Sequence, residues 1–450
     1  MIASEGEAGM SIVEALVAMM IFALVSTGII YTMLSVLSVS RDSRARQVAL
    51  NLASQEIDLA RDTQDLFAVL DATKDVTLNK DKFHVTRKTQ WVSDPGASLQ
   101  CGASSTGSAG ATLRYKRVNI SVTWDGMRES TKAVQSDTVI SPKGHLNDPS
   151  LGTILVSVLS GDGTGRSNVT VTASPASPAN GAKPLTVAPA KTDAQGCTYI
   201  LKVIPGTYNV GVSATNYVSY LQEGTSSQIV GVAAGESAAV GFQYDAAATF
   251  VLKRAANFTP PPGVTVKFPT ALDTTFISSY GAHVVTGTSA KLFPFSSGYT
   301  VLAGKYVAPA DGIQSCLSVD PAAWLDGTVN GVAVSSPQPI AVAAAGGQSV
   351  DAPVAMGVVT VGGSGGGFVK AVSAAAVGDD PGCAQKMTYA FDNIGNNATI
   401  ALPYGSWNVF RGSSATGATV PVPGAALVPL NGGTVTGNSV TFDPRVEVVP

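Results

Sequence analysis

Between Met10 and Ser40 the chain runs for about thirty residues with one charged side chain, Glu14. No proline interrupts the run, and Gly28 is its only glycine. A helix of that length, at about 1.5 Å per residue, reaches beyond the ~30 Å hydrocarbon core of a bilayer. Past Ser40 the pattern changes. Ala45, Val48, Ala49, Leu52 and Leu59 recur at helical spacing with polar residues between them, which extends an amphipathic helix to about Arg61. One helix is therefore predicted over 10–61, apolar on all sides in its first half and one-sided in its second.

The period then drops from 3.6 to 2. "KFHVTRKTQWV" (82–92), "LRYKRVNISVTWDG" (113–126) and "ESTKAVQSDTVIS" (129–141) alternate apolar and polar positions, as half-buried strands do. Val118, Ile120, Val122 and Trp124 fall on one face. The intervening "SDPGASLQCGASSTGSAGA" (93–111) has the composition of a flexible loop, and "SPKGHLNDPSLG" (141–152) that of a linker. Residues 62–142 thus form a small antiparallel head. Basic residues concentrate before this linker and prolines after it.

A weak repeat follows. "LKVIPGTYNVGV" (201–212), "KLFPFSSGYTVLAG" (291–304) and "IALPYGSWNVFRG" (400–412) share an outline: apolar residues, a proline, small residues, an aromatic, then x-Val. Tyr208, Tyr299 and Trp407 align. An opening strand precedes each, at 153–160, 248–255 and 357–363. Proline and glycine set a turn, and the aromatic enters a sandwich core. The spacing, about 100 residues, is that of one β-sandwich each, giving domains at 150–245, 246–350 and 355–450. The first unit, with Thr192, Asp193 and Gly196 in a T-D-x-x-G turn and Pro205, Gly206 and Tyr208 in "PGTY", resembles the carboxypeptidase regulatory-like sandwich. That resemblance implies a fold and no peptidase activity. The fold class expected for the whole chain is an α+β N-terminal module, a long helix plus a small antiparallel sheet, followed by about three all-β sandwich domains.

Glu14 sets the functional question. A carboxylate deep in a bilayer costs about 3 kcal/mol even on lenient insertion scales, and intramembrane acids have partners. A secretory signal has a shorter apolar core preceded by Lys or Arg, whereas residues 1–9 carry Glu5 and Glu7 and no basic residue. Cleavage after Gly9 would create the partner, the free amine of Met10. Gly9, Met10 and Glu14, with "MSIVEALVAMMIFAL" after them, resemble the N-terminus of type IV pilins and pseudopilins. In that family a short leader ends in glycine, an apolar residue follows, and the fifth residue after the cut is Glu. The resemblance implies removal of the leader (1–9) by a prepilin peptidase and methylation of the new amine. It also implies that Glu14 meets the N-terminal amine of a neighbouring subunit. Arg41, Arg44 and Arg46 would by charge alone stay in the cytoplasm. The motif places them outside, in keeping with the β-rich, surface-type sequence beyond.

Composition adds limits. Charged residues are 13% of 450 and the net charge is −3, so no basic field argues for nucleic acid. Cys101, Cys197, Cys316 and Cys383 lie far apart without a CxxC pair, which gives zinc and thioredoxin-like chemistry little support. In an exported chain they permit two disulfides in three possible pairings. His84, His145 and His283 are widely spaced and read as solvated strand or loop residues. "GGSGG" (362–366) satisfies G-x-S-x-G, but a nucleophile elbow needs a helix directly after the serine, and "GFVKAVSAAAV" reads as strand or loop. "GDGTGRSN" (161–168) reads as a hairpin turn, having too few acids for calcium. "GDDPG", with Asp379 and Asp380, reads as a solvated turn. The Asn119, Asn168, Asn257 and Asn397 sequons read, in a bacterium, as ordinary strand sequence.

The expectation is a non-enzymatic structural subunit with no cofactor or metal: a minor, tip-located pilin of a bacterial type IV pilus or pseudopilus. Its partners would be prepilin peptidase, other pilin subunits and the cytoplasmic membrane. It would reside in that membrane before assembly and on the cell surface after it. The alternative is an adhesin on a pilin-type anchor, with a glycan or protein ligand.

Overall fold

The computed structural model describes residues 12–63, 66–93, 98–99, 101, 113–127, 131–141, 149–329, 331–363, 366–414 and 416–446. Gly9 and Met10 lie outside these residues, as do His145 and most of the 93–111 loop. The chain divides into two compact units, one built mainly from residues 1–155 and the other mainly from residues after 155.

In the first unit one helix, α1 (Ile12–Asp62), carries both the apolar and the amphipathic stretch without a break. At about 1.5 Å per residue it is about 75 Å long. Arg61 sits in its last turn, where a cation complements the helix dipole. Four strands, β1 (Ala72–Leu78), β2 (Asp81–Ser93), β4 (Leu113–Trp124) and β5 (Val134–Ile140), form an antiparallel sheet in the order 1-2-4-5; the two-residue β3 (Ser98–Leu99) pairs with β2. β1 and β2 are joined by Asn79 and Lys80, both at positive φ, the geometry of a type I′ hairpin.

The alternation predicted for β4 is borne out: Val118, Ile120, Val122 and Trp124 are all buried. They meet Phe83 and Val85 of β2 and Ala45, Ala49, Leu52, Ala53, Ile57 and Ala60 of α1 in one core. Alanines on the helix side let its backbone come close to the sheet. Leu59 departs from expectation, being 51% exposed. At 100° per residue it lies about 80° from the centre of the buried stripe, so Ile57 and Ala60 take the contact instead.

The second unit is β-structure, arranged as several sandwich-like domains. Thr170–Pro175 pairs antiparallel with Gly206–Ser213. Ala248–Arg254 pairs antiparallel with Ser289–Leu292 and parallel with Ser349–Val354. Gly357–Val361 pairs with Ala398–Leu402 and Leu427–Asn431. A six-stranded sheet is centred on Phe368–Ser373, Gly405–Gly412 and Ser439–Phe442. The opening strands expected near 153, 248 and 357 are present. One hydrophobic cluster runs from Ala248 to Phe442, so the second and third repeats share a core.

The three aligned aromatics are buried, each with its polar end on a backbone carbonyl. The Tyr208 hydroxyl donates to Lys183 at 3.2 Å, the Tyr299 hydroxyl to Phe293 at 2.7 Å, and Trp407 Nε1 to Pro403 at 2.8 Å. This solves the usual problem of a buried Tyr or Trp. Tyr299 differs in context: it forms an isolated bridge to Val342 beside a four-residue strand, whereas Tyr208 and Trp407 lie within eight-residue strands. The T-D-x-x-G turn closes as its residues require. Asp193 Oδ1 accepts from the amides of Gln195 (2.8 Å) and Cys197 (2.9 Å). Gly196 has φ +77°, and a Cβ there would stand 2.3 Å from the Val158 carbonyl oxygen.

Candidate functional site: the N-terminal helix and its junction with the head

Every large apolar side chain from Ile12 to Val39 is half or more exposed, from 50% at Val17 to 80% at Ile12. The consecutive residues Met19, Met20, Ile21 and Phe22 are all exposed, so the apolar surface circles the helix rather than forming a stripe. α1 is long and apolar enough to cross a membrane. Three hydroxyls in this half are satisfied internally. Thr27 donates to the Ala23 carbonyl (2.7 Å), Thr32 to Gly28 (2.8 Å) and Ser38 to Ser35 (2.8 Å). Such back-bonding lets hydroxylic residues face an apolar medium without an orphaned donor. Glu14 lies at the start of α1, the sole charged residue between Ile12 and Ser40.

The transition to the head is fixed where the apolar run ends. Arg41 pairs with Asp81 of β2. Asp42 accepts from Trp124 Nε1 at 3.2 Å and from the Thr131 hydroxyl at 3.0 Å. About three turns into the amphipathic half the buried Glu56 pairs with Lys74, with Arg87 Nη1 3.7 Å away. Arg61 Nη2 donates to Thr138 Oγ1 at 2.7 Å. The second half of α1 is thus tied to β1, β2, β4 and β5. Sequence reading missed Asp42 and Glu56. The available signal was an acid directly after the apolar run and another on the alanine face.

Other sequence candidates resolve as structure. Cys316 and Cys383 form a disulfide across a separation of 67 residues; Cys101 and Cys197 are buried, and no cysteine is free. Beyond the glycines of "GGSGG" the chain enters the strand Phe368–Ser373 rather than a helix. The buried Arg411 organises this loop by donating to the carbonyls of Val361, Gly362, Gly366, Gly395 and Asn396 at 2.6–3.1 Å. Its burial lowers its pKa. Asp162 sits in the tight turn expected at 161–168, held well below the usual carboxylate range by donation from Ser160 and Thr164.

"GDDPG" corrects the expectation of a solvated turn. Asp380 is 8% exposed and accepts from Ser318 Oγ, from Ser406 Oγ at 2.7 Å and from the Gly382 amide at 2.9 Å. The driving fact is long-range: Ser318 arrives from a distant turn and Ser406 from a distant strand, which local composition does not reveal. His84, on β2, lies between Asp75 (2.6 Å) and Asp125 (3.1 Å), which together raise its pKa. Among the described residues no group of three or more His, Cys, Asp or Glu is placed to hold a metal ion.

No family model matches the chain, and no curated protein matches it. Solved structures do. The Bacillus anthracis TIE protein aligns over 84% of this chain and 72% of its own, at 12% identity and a TM-score of 0.21. GBS52, the minor pilin of Streptococcus agalactiae, aligns over 45% of this chain and 94% of its own, at 11% identity and a TM-score of 0.18. The streptococcal ancillary pilin aligns over 54% and 76%, at 9% and 0.18. At these TM-scores the likenesses carry no conclusion about function.

Proposed function

We propose that the chain is a minor pilin-type subunit of a bacterial type IV pilus or related pseudopilus. The observation that carries the reading is α1 itself: one unbroken helix, apolar and exposed on every side to about Val39 and locked under an antiparallel sheet from Ala45 onward. Prepilin peptidase cuts between Gly9 and Met10. Before assembly the apolar half lies in the cytoplasmic membrane. On assembly it leaves lipid for a bundle of like helices, and Glu14 pairs with the N-terminal amine of a neighbouring subunit. An ion pair inside such a bundle is favourable only in one register, so Glu14 sets the axial offset between subunits. The β domains are carried outside as a bulky load, which suits a tip or low-abundance position and a role without catalysis.

Glu14→Ala tests this. It is expected to leave membrane insertion intact and to abolish recovery of the protein in sheared pili. Normal recovery would remove the role given to Glu14.

A further inference from the structure

The second unit holds a cleft of about 530 Å³ that none of the features above uses. Its volume falls in the range of small-molecule sites, about 300–1,000 Å³. One wall is set by Arg445, whose side chain is 1% exposed although its residue lies at the cleft. Arg445 is bonded to both Asp443 oxygens at 2.7–3.2 Å and to Asp379 Oδ2 at 2.9 Å, and its guanidinium lies 5.5 Å from the ring centre of the buried Trp324. That network pins Asp379 through one carboxylate oxygen while its side chain stays 54% exposed. The exposed Thr328, Thr434 and Thr436 also line the cleft, and Leu430, 37% exposed, adds an apolar face. Gly432 and Gly433 also line the cleft.

The chemistry of this lining selects a ligand class. Two carboxylates against one guanidinium leave the cleft with an excess negative charge, and the guanidinium is already engaged by both acids. Phosphates, sulfates and acidic peptides are therefore disfavoured. A single exposed carboxylate is too poor a donor set for a divalent cation. What remains matched is a neutral molecule rich in hydroxyls: a fixed carboxylate accepts from adjacent hydroxyls, threonines supply further partners, and Leu430 covers C–H surface. We infer that this cleft binds a neutral saccharide, with Asp379 as the principal acceptor and Thr434 at its rim. The inference does not rest on the pilus reading and survives its failure.

The test uses the full chain in detergent on an array of neutral, sialylated and sulfated oligosaccharides, followed by titration of the best neutral hit. Binding to a subset of neutral glycans is expected, weakened at least tenfold by Asp379→Asn and several-fold by Thr434→Val. Thr434→Val alters an exposed threonine outside the Arg445 network, so its loss of binding cannot be a folding defect; circular dichroism checks both variants. Absence of binding to every neutral glycan, preference for the sulfated or sialylated set, or full binding by both variants would overturn the assignment.

Discussion

The two halves of α1 share one backbone and present opposite surfaces. From Ile12 to Val39 large apolar side chains point in every direction and are exposed. From Ala45 to Ala60 the contact positions are mostly alanine, with Leu52 and Ile57, and the remaining positions are polar apart from Val48, Leu50 and Leu59. Burial of one large apolar side chain stabilises by roughly 1.5–3 kcal/mol. A helix exposing so many of them requires another covering, lipid or like helices, whereas the second half is already covered by its own sheet. Helix propensity does not distinguish the halves; what each side chain meets does.

The comparison can be broken most sharply by matched truncations. Ile120→Ala removes a fully buried side chain from beneath α1 and is expected to destabilise the head by about 2–5 kcal/mol in denaturant titration. Ile29→Ala, at 63% exposure in the other half, is expected to change the same midpoint by under about 0.5 kcal/mol. Equal effects would mean that the first half also packs on the head. A smaller effect is expected at the junction. Asp42→Ala removes the acceptor of Trp124 Nε1 and Thr131 and should cost about 1–2 kcal/mol, with a shift in Trp124 emission. An unchanged emission spectrum would detach Asp42 from the indole.

The smallest effect is a pH dependence of the sheet. Asp125 and Asp75 raise the His84 pKa. A raised folded-state value means that the contribution of His84 is fully present below the unfolded value, about 6.5, and is lost as pH rises through the folded one. Unfolding midpoints of the wild type should therefore fall modestly over that window, and His84→Gln should flatten the change. A wild-type midpoint rising with pH there would contradict the arrangement.

Much of this was legible in sequence because it is local or periodic. The helix end, the strands at 82–92 and 113–126 and the buried face of β4 follow from spacing alone. Tyr208, Tyr299 and Trp407 were found by repetition. β1 was missed because "ATKDVTL" is exposed at nearly every position and lacks an apolar face. The roles of Asp380 and Arg411 and the Cys316–Cys383 bond were not readable because their partners come from distant segments of the chain. Gly9 and Met10, which carry the cleavage motif, lie outside the described residues.

The most direct measurement is the mass of the N-terminal peptide of the protein taken from its native membrane fraction. A start at Met10, one methyl heavier than the unmodified peptide, is the predicted result and supplies the amine that Glu14 requires. A start at Met1 would contradict the pilin assignment and leave a membrane-tethered β-protein with an unpartnered acid at the head of its helix.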